Sequence, residues 1–379
     1  MINHLTLKNF KIHKEADLPL ANLNILTGLN GTGKSSVIQS LLLLRQSYLN
    51  NNALAKGLLL NGDLINIGTG KDAFHISSGK LLEFSLLFDN RKKINWKFKS
   101  NTNDDFLLQA KYLKSLKNYS LEKISLFNQN FQYISAEHIG PMENHTRNSL
   151  MVKYNRQISE KFGRGEYVVH FLEKYGSDEV VSELLHHPKA INHQLLKQTD
   201  AWLGEISPGI ATEIQANPFN ESQLYLHFTY KTQGDDNHEF KPENVGFGVS
   251  YVLPIIAAVL SARKGSLILI ENPEAHLHPS GQAKLAQLFA LAAQSGIQLI
   301  IETHSDHIIN GTLVAVKKYE TEGKGISRDN VKIHFFSRDE NEHASKIEQL
   351  PVLEGGRIRH PPYGFFDQIK QDIKILAGF

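Results

Sequence analysis

The sequence predicts an α/β fold: a parallel sheet carrying a phosphate-binding loop, with an N-terminal antiparallel β lobe and an inserted helical lobe. Three observations predict it. Gly28-Leu29-Asn30-Gly31-Thr32-Gly33-Lys34-Ser35 matches G-x-x-x-x-G-K-[ST], the P-loop pattern. Ser266-Leu267-Ile268-Leu269-Ile270 and Gln298-Leu299-Ile300-Ile301-Glu302-Thr303 are continuous apolar runs, as parallel strands covered on both faces require. Helical patterns follow each of them, from about Ser280 to Ser295 and from about Asp306.

The remaining elements follow in order. Ile2 to Leu7 alternates like a strand and Leu23 to Thr27 is a short buried one, so residues 1–30 read as two strands with Phe10-Lys11-Ile12-His13 between them. Residues 31–50 form the helix after the P-loop. Leu81 to Phe88 and Ile94 to Phe98 flank the turn-like Asp89-Asn90-Arg91 and predict a hairpin. A further strand ends in Tyr133-Ile134-Ser135. From about Glu166 to Ser207 the apolar period becomes helical, through Val168, Val169, Phe171 and Leu172, then Val180, Val181, Leu184 and Leu185, then Leu195, Leu196, Trp202 and Leu203. Leu224, Leu226, Phe228 and Tyr230 mark another strand, Tyr251 to Ala262 an apolar helix, and Val331 to Phe336 a late strand. The tail carries Pro361, Pro362 and Phe365-Phe366 before a short helix. This order divides the chain into an N-terminal β lobe with the P-loop (1–160), an inserted helical lobe (161–220), the rest of the phosphate-binding domain (221–330) and a C-terminal strand and tail (331–379).

Composition narrows the function. A chain of 379 residues can bury a large core, as one domain with an insertion or as two lobes. It contains no cysteine, which excludes disulfides, thiolate catalysis and cysteine-ligated zinc. A net charge of +2 gives no global attraction to nucleic acid, so a DNA-clamping role rests on a local basic face such as Lys92, Lys93, Lys97 and Lys99, a pattern that is ordinarily a solvated surface. The longest leucine run, Leu41 to Leu44, is far too short to span a bilayer and the amino terminus shows no signal-peptide pattern. The expectation is a soluble cytoplasmic protein with no membrane partner.

The chemistry starts at the P-loop. Strand, glycine-rich loop and helix in that order let backbone N–H groups from Asn30, Gly31, Thr32, Gly33, Lys34, Ser35 and Ser36 wrap a phosphate at a helix N-terminus. Lys34 reaches the β- and γ-phosphates and the Ser35 hydroxyl ligates Mg²⁺. The bland alternative is a glycine turn that caps a helix. A P-loop needs a second carboxylate, which the strand ending Leu269-Ile270-Glu271-Asn272-Pro273-Glu274 supplies beside the loop. Glu271 is the candidate Mg²⁺ holder through water, and Glu274 or Asn272 the candidate for orienting or deprotonating water. Both acids could instead cap the following helix. His276 and His278 lie close enough in sequence to suggest a metal cluster, although an i, i+2 pair on a loop is equally served by turn packing. The next strand ends Ile301-Glu302-Thr303-His304-Ser305. Ligands bind beyond the carboxyl ends of such strands, which places His304 near the γ-phosphate as a hydrogen-bond donor or water-positioning group. Asn244-Val245-Gly246-Phe247-Gly248-Val249-Ser250, leading into a helix, is a weaker second anion site.

The succession of P-loop, glycine/serine helix start, acid-ended strand and histidine-ended strand resembles the ABC-type ATPase heads of the SMC and RecF-like group. It is most similar to bacterial AAA-type ATP-binding proteins related to the ATPase half of OLD-family nucleases. The resemblance is carried by LKNFKIH (Leu7 to His13), ILTGLNGTGKSS (Ile25 to Ser36), YISAEHIGP (Tyr133 to Pro141), VGFGVSYVLPII (Val245 to Ile256), LILIENPEAHLHP (Leu267 to Pro279) and ETHSDHIIN (Glu302 to Asn310). PPYGFFDQ (Pro361 to Gln368) resembles a C-terminal module of unknown function found in one subgroup. The likeness fades between about 90 and 220.

The resemblance implies ATP and Mg²⁺ as cofactors, and Gly246, Gly248 and Ser250 as a signature motif touching the γ-phosphate of the opposite protomer. Two heads, as a homodimer or within a larger homo-oligomer, would sandwich two ATP molecules and open on hydrolysis. It implies a role in anti-phage defence or DNA metabolism, with an effector such as a nuclease encoded by a neighbour. Two departures stand out: Glu271-Asn272 replaces the usual aspartate–glutamate pair, and the signature differs from L-S-G-G-Q. Only about 75 residues follow His304, with no D-x-D, so no Toprim nuclease half is expected there. The expectation is an ATPase whose activity is slow if Glu274 substitutes poorly for the missing glutamate. The alternatives are an ATP-binding scaffold with little hydrolysis and a metal-dependent nuclease using Glu271, Glu274, His276 and His278.

Overall fold

A computed structural model describes residues 1–76, 79–89, 91–110, 120–230, 238–362, 364–365 and 368–377. In chain order, β1 (Ile2–Phe10), β2 (His13–Pro19) and β3 (Leu23–Gly28) lead to α1 (Lys34–Leu49). Next come β4 (Gly57–Leu59), α2 (Gly70–Ala73), β5 (Leu81–Phe88), β6 (Lys93–Lys99), β7 (Phe106–Leu108), β8 (Phe131–Ile134) and β9 (Asn144–Thr146). The middle of the chain holds α3 (Val168–Tyr175), α4 (Leu195–Leu203), β10 (Ile210–Ala216), β11 (Gln223–Tyr230) and β12 (His238–Phe240). The last third runs α5 (Phe247–Leu260), β13 (Leu267–Glu271), α6 (Pro279–Gln294), β14 (Gln298–Glu302), α7 (Asp306–Glu322), β15 (Val331–Asp339), β16 (Ala344–Leu350), β17 (Val352–Leu353), β18 (Arg357–Ile358) and α8 (Gln368–Leu376).

The central sheet has six strands in the order β16-β15-β3-β14-β13-β8. All neighbours are parallel except β16, which runs antiparallel to β15. Alternation in its strands builds two cores. On one face Leu26, Leu267, Leu269 and Ile300 meet Val37, Ile38 and Leu41 to Leu44 of α1, and beyond them the antiparallel sheet β2-β1-β5-β6 through Leu5, Leu7, Phe84, Trp96 and Phe98. Helix α1 is therefore covered on both sides, which is why four consecutive leucines are all buried. Each contributes about 2 kcal/mol by leaving water. On the other face Leu23, Ile25, Ile268, Ile270, Leu299 and Ile301 share a core with α5, α6 and α7, and with α3 and α4.

The structure corrects the sequence at three places. Residues 1–30 hold three strands, because β1 runs on to Phe10 and reverses at Lys11-Ile12 so that Phe10 pairs with His13. In β2 only His13, Ala16 and Leu18 turn inward, too sparse an apolar pattern to announce a strand. The segment 166–207 is α-helical only over α3 and α4, with a single 3-10 turn at Glu183–Leu185 between them. Pro188 cannot continue a helix, and the backbone between them instead closes on itself, Val180 N–H donating to His193 O. The strand ending in Glu271 is not beside β3, since β14 lies between them. Sequence order does not fix lateral order in a sheet.

The hairpin expected at 81–98 is β5 and β6, with Asn90 of its turn outside the described residues. Tyr363, Phe366 and Asp367 of the tail motif also lie outside them. Across the outer face of the antiparallel sheet, Lys8 pairs with Glu15 and Lys97 with Glu83, both at 2.7 Å. Glu83 stands opposite Lys8 in register, so this face alternates in sign instead of forming a basic strip. No helix among the described residues is long and apolar enough to cross a membrane.

Candidate functional site

The site is assembled at the carboxyl ends of β3, β14 and β13. Gly28 closes β3 with φ 135°, opposite Phe336 of β15, and any Cβ there would run into the Phe336 carbonyl oxygen. Gly31 (φ 72°) and Gly33 (φ 103°) also occupy the left-handed region, so this loop conformation is reserved for glycine. Thr32 is buried and its Oγ1 donates to Leu29 O at 2.7 Å, fixing the loop's width. Lys34 Nζ donates to Gly28 O (3.1 Å) and Leu29 O (2.7 Å). Burial lowers the Lys34 pKa, and Glu302 opposes that shift. Gly33 caps α1 through backbone alone, leaving the first-turn amides without a side-chain cap.

Ser35 Oγ donates to Glu302 Oε1 at 2.9 Å. Glu302 ends β14 and pairs in register with Glu271 at the end of β13. Its second oxygen is buried with no hydrogen-bond partner. Burial raises the Glu302 pKa, while the Ser35 bond and Lys34 pull it back. Glu271 accepts from the Tyr133 hydroxyl at 3.2 Å. Burial and then the neighbouring Glu302 push its pKa up to about 7. Glu274 is tied to the end of β14: one oxygen accepts from Thr303 Oγ1 (2.8 Å) and the other from the His304 amide (2.7 Å). Burial raises its pKa against those two bonds. Asn272 takes φ 46°, donates its backbone N–H to Glu302 O at 2.8 Å and lines the cleft, its Oδ1 buried without a hydrogen-bond partner. Burial and Lys34 keep His304 below the usual imidazole pKa, so it is neutral at pH 7.

These groups surround one cleft of about 480 Å³, lined by Lys11, Ile12, Asn30, Gly31, Gly33, Lys34, Ser35, Ser36, Gln39, Asn272, Glu302 and His304. Of the residues expected from sequence, Asn30, Gly31, Gly33, Lys34, Ser35, Ser36 and His304 line it. Thr32 braces the loop, and Glu271 and Glu274 stand behind the lining. Gly246, Gly248 and Ser250 are not among the lining residues. Gly246 is exposed at the start of α5, which has no side-chain cap, and Phe247 beside it is 55% exposed. Gly248 lies against the His276 carbonyl, where a Cβ would come to 2.6 Å, and Ser250 Oγ is buried without a partner.

Sequence reasoning missed Glu302 as a site residue, together with Lys11, Ile12 and Gln39. Glu302 was legible in principle, being an acid at the end of an apolar strand two residues before His304. Lys11 Nζ donates to Gln39 Oε1 at 2.7 Å, a contact between the β1–β2 turn and α1 that depends on tertiary packing.

The donor set fits Mg²⁺, a hard cation that takes oxygen ligands and keeps waters: the Ser35 hydroxyl, the orphaned oxygen of Glu302, and Glu271 behind it. The histidines form no metal cluster. His278 Nδ1 accepts from the Ser280 amide and caps α6. His276 (φ 62°) sits between the rings of Phe247 and Tyr251, each 5.4 Å away. Among the described residues no three His, Asp or Glu side chains converge to hold a metal.

A glycine-built phosphate loop at the carboxyl edge of a parallel sheet, beside two acid-ended strands, defines a P-loop NTPase head. The chain belongs to the family described as AAA domain, putative AbiEii toxin, Type IV TA system, whose model matches residues 23–310. Residues 326–376 match a second model, protein of unknown function (DUF3696). No curated protein matches the chain by sequence. Among solved structures, the Smc head bound to the C-terminal winged-helix domain of ScpA is similar over 93% of this chain and 98% of that one, with a TM-score of 0.53 and 16% identity. The Pyrococcus furiosus Smc head with an extended coiled coil, bound to the C-terminal domain of ScpA, covers 99% and 98% at a TM-score of 0.52 and 15% identity. The Pyrococcus yayanosii Smc head with a coiled coil and joint covers 98% and 99% at a TM-score of 0.50 and 13% identity. At these identities the likeness shows the fold: an AAA-type P-loop NTPase with the architecture of an SMC head.

Proposed function

We propose that the chain binds Mg-ATP in the Lys34 cleft, pairs with a second copy when ATP is bound, and hydrolyses ATP slowly to reset that pairing and gate a partner effector. One observation carries it: Lys34, the Ser35–Glu302 pair and His304 line a single cleft at the end of the parallel sheet. In this reading the amides of Asn30 to Ser36 hold the β- and γ-phosphates, Lys34 neutralises them, and Ser35, Glu302 and Glu271 hold Mg²⁺. The cation, when bound, supplies positive charge against the transferring phosphoryl group. Neutral His304 donates to the γ-phosphate or holds water, and Asn272 orients water from the opposite wall. Glu274 positions the His304 amide. The exposed, uncapped start of α5 at Gly246 and Phe247, with Gly248 and Ser250 behind it, is the surface that meets the phosphates of a second copy.

A second reading, an ATP-binding scaffold with little turnover, is favoured by a specific observation. Glu274, the carboxylate on the turn after β13, has both oxygens hydrogen-bonded, and the residue of that turn that lines the cleft, Asn272, is an amide. Phosphate release by wild type, Lys34→Ala and Glu274→Gln decides between them. Release above the Lys34→Ala background supports the ATPase, and release equal to it leaves the scaffold. The mass of Glu274→Gln with and without ATP tests pairing: a doubling with ATP supports it, and an unchanged monomer mass rejects it. A role in defence or DNA metabolism beside a nuclease encoded nearby, and a lobe division at 160, 220 and 330, belong to the same proposal. The identity of the adjacent reading frame tests the former.

A further inference from the structure

The β15–β16 hairpin falls within the segment of unknown function, and it touches the nucleotide cleft from two directions. The first runs through β15. Its Phe336 lies opposite Gly28 at the root of the P-loop, with no room between them for a side chain. The Phe336 ring packs edge-on against His13, 6.3 Å between centroids, and His13 Nε2 bonds Gly33 O at 2.9 Å. The second runs through β16. The Ser345 amide donates to Ile12 O at 2.9 Å, and Glu342 pairs with Lys14 at 3.0 Å. Ile12 lines the cleft, and its Cγ2 stands where a Cβ on Gly33 would come to 2.7 Å. Both routes end on Gly33, the residue that caps α1. At its other face the hairpin meets the tail, Phe335 against Phe365 at 5.8 Å.

We propose that this C-terminal hairpin regulates the nucleotide cleft: through Ser345 and Phe336 it holds the β1–β2 turn and Gly33 in place, and so sets how fast nucleotide leaves. The proposal rests on nucleotide binding at Lys34. Ser345 and Phe336 are positioning residues in it, acting through Ile12 and His13. A P-loop cradle works only if its amides converge, and Gly33 has no side chain of its own to hold it. Its neighbours must do so. Faster release at an unchanged rate of binding is weaker affinity, and coupling between binding free energies is reciprocal, so nucleotide must also steady the hairpin.

The test uses the full chain and a fluorescent N-methylanthraniloyl-ATP, with release followed by stopped flow. Ser345→Pro removes the amide that reaches Ile12, on the side of β16 away from β15, where an edge strand tolerates proline. Release is expected to quicken at least about fivefold, the low end of ordinary coupling between sites. Glu342→Lys is expected to quicken release about twofold, with Lys14→Glu in the same chain restoring it. In wild type, hydrogen exchange at the Ser345 amide is expected to slow when nucleotide is added, a readout that needs no variant. Unchanged release in Ser345→Pro together with unchanged Ser345 exchange overturns the proposal while nucleotide binding stands. Absence of binding to wild type overturns the nucleotide reading itself and this proposal with it.

Discussion

Ser35 and Glu302 share a hydrogen bond, 2.9 Å from Oγ to Oε1, that joins the first turn of α1 to the end of the strand beside the P-loop. This makes Glu302 the carboxylate directly bonded to the loop, with Glu271 one strand further out. Glu302→Gln keeps the size and an acceptor for Ser35 but removes the charge. It should weaken the Mg²⁺-dependent part of ATP affinity by about 10–100-fold, as loss of a supporting group at a metal site does. Titration with ATP in the presence of Mg²⁺ and of EDTA measures it, and equal Mg²⁺ dependence in variant and wild type counts against the assignment.

Asn272 lines the cleft, and in the proposed ATPase it occupies the position where the sequence resemblance implies a glutamate base. An amide can orient water but cannot take its proton. Asn272→Glu should raise turnover at least about tenfold, modest beside the 10²–10⁴-fold that a placed general base supplies. Its left-handed backbone should cost the variant about 1 kcal/mol, because glutamate tolerates φ 46° less well than asparagine. Steady-state phosphate release at saturating ATP is the measurement, and no gain in a stably folded variant argues that water is held elsewhere.

Gly28 is fixed both by conformation and by contact. At φ 135° and pressed on Phe336, it should lose about 3 kcal/mol on substitution by alanine, the upper range for a residue held in a glycine-only region. The shift appears in the urea midpoint. An unchanged midpoint would mean that β3 and β15 separate more easily than their register suggests.

How much of this was legible beforehand varies with the kind of contact. The phosphate loop, β13, β14 and the helices after them announce themselves through local pattern: glycines at left-handed positions, buried isoleucine and leucine runs, and a serine before α7 that caps it by accepting from Ile308 N–H. Strand β2 was not legible, since its inward side offers only His13, Ala16 and Leu18. Nor was the irregular course between α3 and α4, where Val180 is buried yet Val181 is 75% exposed, so that neighbouring apolar residues mislead a helical reading. Glu302 escaped because its importance comes from lateral strand order. Lys11 and Ile12 escaped because a turn separated from the P-loop by two whole strands, β2 and β3, folds back to wall the cleft.

Glu205 links the middle of the chain to the helix that leaves the Asn272 turn. Its carboxylate meets Lys189 and Lys284 at 2.7 Å each and His187 at 3.3 Å, and the two lysines hold its pKa near 2 against an ordinary 4.5. A depressed carboxylate stabilises the fold above its unfolded pKa and loses that contribution as pH falls through the folded one. Glu205→Gln should therefore cost about 1–3 kcal/mol at pH 7, with variant and wild type converging as pH drops from about 4.5 towards 2. Urea unfolding across that range tests it, and a pH-independent difference would assign the loss to packing.

The most direct measurement is calorimetric titration of Mg-ATP into wild type, with Lys34→Ala alongside. Saturable binding at one site per chain, weakened at least about tenfold in Lys34→Ala, is the expected result, a loss of about 1.4 kcal/mol. Equal affinity in the two proteins, or no heat of binding in wild type, would contradict the account.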